Sequence, residues 1–298
     1  MANYKSQVSL LLNVLPEVAK ETCFALHGGT AINLFVREMP RLSVDIDLTY
    51  VPVGNRETSF ENINKALARI KGNIETVVHK VKVTHKQDEL KLQISKGQAQ
   101  IKLEVNQAMR GTIATPIKMT LCEKAQEAFD AFCEIAIVPI GQLYGGKICA
   151  ALDRQHPRDF FDVKYLLENE GFTEEVRTGF LFGLLSSNRP LHEMLAPNLL
   201  DQRSAMANQF EGMSDEEFTY EGFETTRNSL IKTIHENLTD SDKEFLLSFE
   251  NNTPNWNAYK FEDYPAVQWK LQNLQKLKEA NPKKHREQLE LLKSGLRA

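Results

Sequence analysis

The chain has 298 residues, enough for two domains, with 42% hydrophobic and 26% charged residues and a formal net charge of −4. The acidic balance excludes a surface that is basic all over and leaves room for a local basic footprint. No stretch approaches the roughly 18 apolar residues of a membrane span, no cleavable leader is evident, and Cys23, Cys122, Cys133 and Cys149 lack metal-ligand spacing, so a reducing cytoplasmic setting is expected.

Residues 3–21 carry Val8, Leu11, Leu12, Val14, Leu15 and Val18 at helical spacing, with an interruption expected near Pro16. Residues 23–26 read as a short strand feeding Gly28-Gly29-Thr30. A glycine pair and a hydroxyl opening a helix leave backbone N–H groups where a phosphate binds, or where the helix is simply capped. The helix is expected over 31–38, ended by Pro40. Arg41 and the string Ser43-Val44-Asp45-Ile46-Asp47-Leu48 follow, alternating polar and apolar as a half-buried strand does. Asp45 and Asp47 then leave one strand face about 7 Å apart along it. Asp is depleted in strands, and two so close repel unless a cation lies between them. Mg²⁺ suits such a pair, because it takes one or two carboxylates plus substrate phosphates. Alone, an Asp-x-Asp is more often a solvated strand face.

After a Pro52-Val53-Gly54 turn, 57–71 has the spacing of a helix on Phe60, Ile63, Ala66, Leu67 and Ile70. The period drops to two over 76–85, 89–95 and 99–106, and the short links between these segments suit hairpins. The Asp-x-Asp strand therefore belongs to a sheet of about five strands. In the last of them Lys102, Glu104 and Asn106 share one face.

Helical patterns resume at 122–132 and 140–152, with Ala136-Ile137-Val138-Pro139 a short buried strand or connector between them. A domain boundary is expected there, giving 1–139 and 140–298. The second part reads as helices at 159–169, 173–186, 203–210, 224–237, 240–250, 266–278 and 283–296. Near its start Lys147, Asp153, Arg154, Arg158, Asp159 and Asp162 are crowded together. Lys147 sits beside an apolar helix face and can snorkel toward a cleft. Pro157 breaks the helix, Asp159 suits the first turn of the next, and Asp162 lies near its packed side. A surface salt-bridge network is the alternative. Between 270 and 297 eight Lys and Arg accompany three Glu, either a track for phosphates or a solvated helical face.

The glycine pair, hydroxyl, helix and Asp-x-Asp strand together resemble the polymerase-β-like nucleotidyltransferases. Within them the chain resembles the AbiEii toxin family, whose pattern is Gly-Gly-Thr, a helix, then Arg-x-Ser-x-Asp-x-Asp. Here that reads Gly28-Gly29-Thr30 and Arg41-Leu42-Ser43-Val44-Asp45-Ile46-Asp47. A second family motif, a helical lysine followed by Arg-Asp-x-x-Asp, is matched by Lys147 and Arg158-Asp159-Phe160-Phe161-Asp162. The resemblance spans 20–170.

It implies an α+β fold: a polymerase-β-like mixed sheet with flanking helices, then a helical C-terminal domain contributing Lys147 and Asp162 to the cleft. It implies a nucleotidyltransferase that consumes an NTP, releases pyrophosphate and holds Mg²⁺ on Asp45 and Asp47. Gly28, Gly29, Thr30 and Ser43 would bind nucleotide phosphates, Ser43 alternatively orienting Asp45. Lys147 would neutralise the triphosphate, and Asp162 would orient Lys147 or act on the acceptor. Arg41 and Arg158 are second-choice phosphate ligands. Glu104 is the candidate for the third carboxylate that this fold places on a neighbouring strand, an exposed strand glutamate being the alternative. The acceptor implied is RNA, the tRNA 3′ end, so that translation stops. Such a toxin is paired with a separately encoded antitoxin, in toxin–antitoxin and phage-abortive systems. Two other readings stay open: a nucleotidyltransferase acting on a small molecule or protein hydroxyl, and a non-catalytic nucleotide-binding module.

Overall fold

The computed structural model describes residues 2–297, with side chains from Tyr4 onward. The chain falls into two compact units. One takes in the chain up to Pro139 together with Glu211–Glu217, the other Ile140–Phe210 and the chain from Phe218 on.

In the first unit α1 (Ala2–Ala19) leads to β1 (Phe24–His27), α2 (Gly28–Ala31) with a π-helical turn at Ile32–Val36, and β2 (Asp45–Tyr50). Then come α3 (Arg56–Val77), β3 (Lys82–Lys86), β4 (Lys91–Lys96), β5 (Ala99–Val105), β6 (Ile117–Thr120), α4 (Glu123–Phe129) and β7 (Glu134–Ile137). The strands form one sheet in the order β3-β4-β5-β2-β1-β7-β6. It is mixed, since β2 pairs parallel with β5 and β1 with β7 while the other pairs are antiparallel. Ile46 and Leu48 of β2, Ile101 and Leu103 of β5 and Leu92 and Ile94 of β4 bury one face under α1 and α3. Alternation then turns Asp45 and Asp47 to the opposite face, where both are half-buried.

The sheet has seven strands, not the five or so expected. β6 is an edge strand none of whose four residues is buried, so it has no apolar period to read. Residues 76–81 are not strand: the buried face Ile63, Ala66, Leu67, Ile70 and Ile74 carries α3 on to Val77. Nor does Pro16 interrupt α1, whose buried residues continue on both sides of it at Leu12, Leu15 and Val18. Packing there outweighs one lost backbone hydrogen bond.

The second unit is helical: α5 (Ile140–Arg154), α6 (Pro157–Asn169), α7 (Glu174–Ser186), α8 (Leu191–Leu195), α9 (Arg203–Ala205), α10 (Tyr220–Asn237), α11 (Asp240–Glu250), α12 (Pro265–Ala280) and α13 (Pro282–Gly295). α5 and α7 cross backbone to backbone. A Cβ on Gly179 would lie 1.9 Å from the Gly141 carbonyl oxygen, and one on Gly145 2.1 Å from the Gly179 carbonyl carbon. Lys270, the first cation of the basic tail, is buried. Its ammonium donates to the carbonyls of Leu184, Ser187 and Arg189 at 2.9, 2.9 and 2.7 Å, and so caps the end of α7. Among the described residues no helix is long and apolar enough to cross a membrane.

Candidate active site

The glycine turn lies directly against β2. Gly28 has φ +73°, and a Cβ there would stand 2.7 Å from Asp47 Oδ2. On Gly29 a Cβ would meet Arg41 Nη2 at 2.7 Å and Ser43 Oγ at 3.1 Å. Glycine at 28 thus meets both a left-handed conformation and a close approach, while a side chain at 29 would have to displace the end of Arg41. Asn33 secures the turn by donating to the Gly29 carbonyl at 2.9 Å. The buried Thr30 hydroxyl donates to the Asp45 carbonyl and stands 3.0 Å from the Ser43 hydroxyl. Its side chain thus ties the turn to the start of the strand and is not turned outward as a phosphate ligand. Ser43 is buried and precedes β2, which begins at Asp45 and not at Ser43.

Arg41 is buried against the same turn, with Nη1 3.0 Å from the Leu42 carbonyl. The Glu211–Glu217 segment flanks it: Leu42 N–H donates to the Met213 carbonyl at 2.7 Å and Ser214 Oγ to the Pro40 carbonyl at 2.9 Å. No local pattern announces this return of the chain, because its pairing partners lie far away in sequence.

The register of the sheet fixes the charges beside the aspartates. Asp45 stands opposite Lys102 and Asp47 opposite Glu104 on β5, while His27 on β1 faces Asp47 from the other side. Lys91 on β4 is the next partner of Glu104. The Glu104 carboxylate accepts from Lys91 at 2.6 Å and from Lys102 at 3.0 Å. Burial pushes the Glu104 carboxyl up, but the two ammonium groups outweigh it and hold it below the usual range. Burial likewise pushes Lys102 down, and Asp45, Glu104 and Asp47 hold it above its ordinary value. Among the described residues no three His, Cys, Asp or Glu side chains gather as a ready metal-binding group, and both Glu104 oxygens are taken up by the two lysines. Two carboxylates on one strand face are a donor set that would suit a Mg²⁺ ion, which keeps waters and takes substrate oxygens. Lys102 was not singled out from the sequence as part of the site, although its shared face with Glu104 was legible.

In the second unit the other motif forms a buried ionic cluster, not a surface network. His156 caps α6 by accepting from the Arg158 N–H at 3.1 Å, and Pro157 occupies its first turn. Asp159 and Asp162 on α6 then face Lys147 on α5, whose ammonium is 2.8 Å from Asp159 Oδ1 and 3.0 Å from Asp162 Oδ2. Lys147 is 6% exposed and each aspartate 1%. Arg154 closes a fork on Asp159 at 2.6 and 3.0 Å. Burial would raise the Asp159 carboxyl; Lys147 and Arg154 prevail and hold it far below the usual carboxylate range. Asp159, given no catalytic part from the sequence, joins the two cations. Arg158 is half-buried, one residue before it.

The fold is similar to that of MenT4, a nucleotidyltransferase toxin from Mycobacterium tuberculosis H37Rv, with a TM-score of 0.64 at 11% identity, covering 91% of this chain and 93% of that one. At that identity the likeness is one of fold. No curated protein sequence matches the chain. The family described as Nucleotidyl transferase AbiEii toxin, Type IV TA system, matches over residues 9–273. With nearly the whole chain matched, the protein belongs to that family: it is a nucleotidyltransferase, the toxin component of a toxin–antitoxin system.

Proposed function

We propose that this toxin transfers a nucleotide from an NTP to an RNA acceptor, the 3′ end of tRNA, and so blocks translation. The observation that carries the reading is the contact of a side-chain-free Gly28 with Asp47, on the strand face that also bears Asp45. Such a turn lets phosphate oxygens come close to two carboxylates, an approach that a divalent cation held by the pair would make favourable.

Asp45 and Asp47 would hold Mg²⁺. When bound, the ion supplies positive charge to phosphate oxygens and lowers the pKa of a coordinated hydroxyl. In the reaction the acceptor hydroxyl gives up its proton to solvent as its oxygen bonds to the α-phosphorus, the bond to the bridging oxygen breaks, and pyrophosphate leaves with that electron pair. Gly28, Gly29 and the Thr30 backbone receive the phosphates, while the Thr30 hydroxyl and Ser43 keep the start of the aspartate strand in place. We assign Lys147 to the charge of the triphosphate, as a point cation oriented by Asp162 and Asp159. The tRNA acceptor rests on the resemblance of both motifs to a family with tRNA-modifying members. NTPs and tRNA place the activity in the cytoplasm, with an antitoxin protein as partner.

The test is incubation with each labelled NTP, Mg²⁺ and total RNA, followed by separation of RNA, protein and small molecules. Label on RNA, concentrated in the tRNA band, is the expected result. Label confined to protein or a small molecule would overturn the acceptor, and no label anywhere would overturn the transfer itself.

A further inference from the structure

Two alternate rungs of the sheet, separated by the Ile46–Leu103 rung, carry charge in a fixed order. One rung is Asp45 beside Lys102, and the other is Asp47, Glu104 and Lys91. Both rungs share the face opposite the core, so these side chains are neighbours by backbone register. Lys102 reaches along its own strand to Glu104 at 3.0 Å, and Lys91 holds the other Glu104 oxygen at 2.6 Å. Glu104 is thus charged, half-exposed and engaged on both oxygens by ammonium groups. Lys102 also stands opposite Asp45 on the neighbouring strand, so its single charge lies beside both the aspartate pair and Glu104.

We propose that Lys102 is a positioning residue that serves as the built-in counter-ion of the Asp45–Asp47 pair, and that Glu104, anchored by Lys91, draws it aside and so sets how tightly the pair binds a divalent cation. This rests on the proposed metal role of Asp45 and Asp47. The physical reasoning is a competition for the same carboxylates. An ammonium close to the pair relieves its repulsion without metal and repels an incoming dication. Glu104 reduces that interference by offering Lys102 another partner. A unit charge about 6 Å from a divalent ion changes its affinity on the order of tenfold even at the dielectric constant of water. Glu104 acts on the metal through Lys102 and not as a ligand.

The experiment is calorimetric titration of the whole protein with Mn²⁺ alone at low ionic strength. Lys102→Gln is expected to tighten Mn²⁺ binding on the order of tenfold and Lys102→Arg to leave it near wild type, the charge being kept. Glu104→Gln alone is expected to weaken binding on the order of tenfold, and by much less when Lys102→Gln is already present. Unchanged or weaker binding by Lys102→Gln would overturn the proposal. Equal weakening by Glu104→Gln in both backgrounds would also overturn it, since Glu104 would then be a direct ligand. Melting temperatures recorded in chelator identify any variant whose affinity reflects unfolding, and Lys102→Arg then carries the test of charge. Wild-type protein without Asp47-dependent Mn²⁺ binding would overturn the metal reading together with the proposal, whereas intact wild-type binding with the wrong variant signs would overturn the proposal alone.

Discussion

Gly28 and Lys147 show how single residues constrain the two motifs. Gly28→Ala would place a Cβ 2.7 Å from Asp47 Oδ2 at φ +73°. The backbone strain costs about 1–3 kcal/mol, and relief of the clash turns Asp47 away from its place. Transfer should fall to background while denaturant titration shows only that moderate loss; undiminished transfer would show that the turn and Asp47 do not act together. Lys147→Ala leaves Asp159 and Asp162 buried without their shared cation, at a cost of about 3–5 kcal/mol. Its melting temperature should drop by several degrees, and Lys147→Arg should restore part of this, because a planar guanidinium cannot occupy the ammonium's place between both carboxylates. An unchanged melting point for Lys147→Ala would contradict the buried cluster. The placement of Asp45, Asp47 and Gly28 was legible, because strand alternation and glycine's freedom are local. The inward engagement of the Thr30 hydroxyl was not, since it depends on where Ser43 and the Asp45 carbonyl come to lie.

Among the elements, α5 and α7 meet backbone to backbone, and glycine is what permits it. The contact is made at Gly141, Gly145 and Gly179, and α5 carries Lys147. Gly179→Ala has no room for its methyl and must force the helices apart. Overpacking of a core commonly costs about 1–3 kcal/mol, and a backbone clash that no side-chain rotation relieves belongs at the upper end. The measurement is chemical denaturation, and a variant as stable as wild type would contradict the close crossing. Gly145 and Gly141 were visible in the sequence at one-turn spacing, yet neither they nor Gly179 and Gly183 suggested a partner, because nothing local identifies which helix approaches. The long amphipathic helices were legible for the converse reason: their buried faces repeat within one segment. What escaped were elements defined by distant pairing, such as the exposed edge strand β6 and the Glu211–Glu217 return beside Arg41. The basic tail illustrates the same limit, since Lys270 is buried by carbonyls from α7 and the loop after it.

For the whole molecule, two buried carboxyls give stability opposite dependences on pH. Asp159 has its folded-state value depressed below 3.8, so its contribution is present in full above that pH and is lost as pH falls through the depressed value. Glu250 is 1% exposed, and neither of its carboxylate oxygens has a hydrogen-bond partner among the described residues. Burial raises it above 4.5 against the pull of Lys270 and His285. Its contribution is therefore present below 4.5 and is lost as pH rises through the raised value. Glu250→Gln should raise the melting temperature at pH 8 and change it little at pH 4; a variant less stable at pH 8 would contradict this. At the same scale, family membership and the AbiEii motifs make the chain a nucleotidyltransferase toxin, and the Asp45–Asp47 pair is the proposed centre of that activity. The most direct measurement is pyrophosphate release and label transfer from NTP to purified tRNA with an intact or periodate-oxidised 3′ end, comparing wild type with Asp45→Asn and Asp47→Asn. Wild type should label only the intact tRNA, both variants should be inactive, and their melting temperatures without metal should equal or exceed that of wild type. Full transfer by either folded variant, or equal labelling of the oxidised tRNA, would contradict the account.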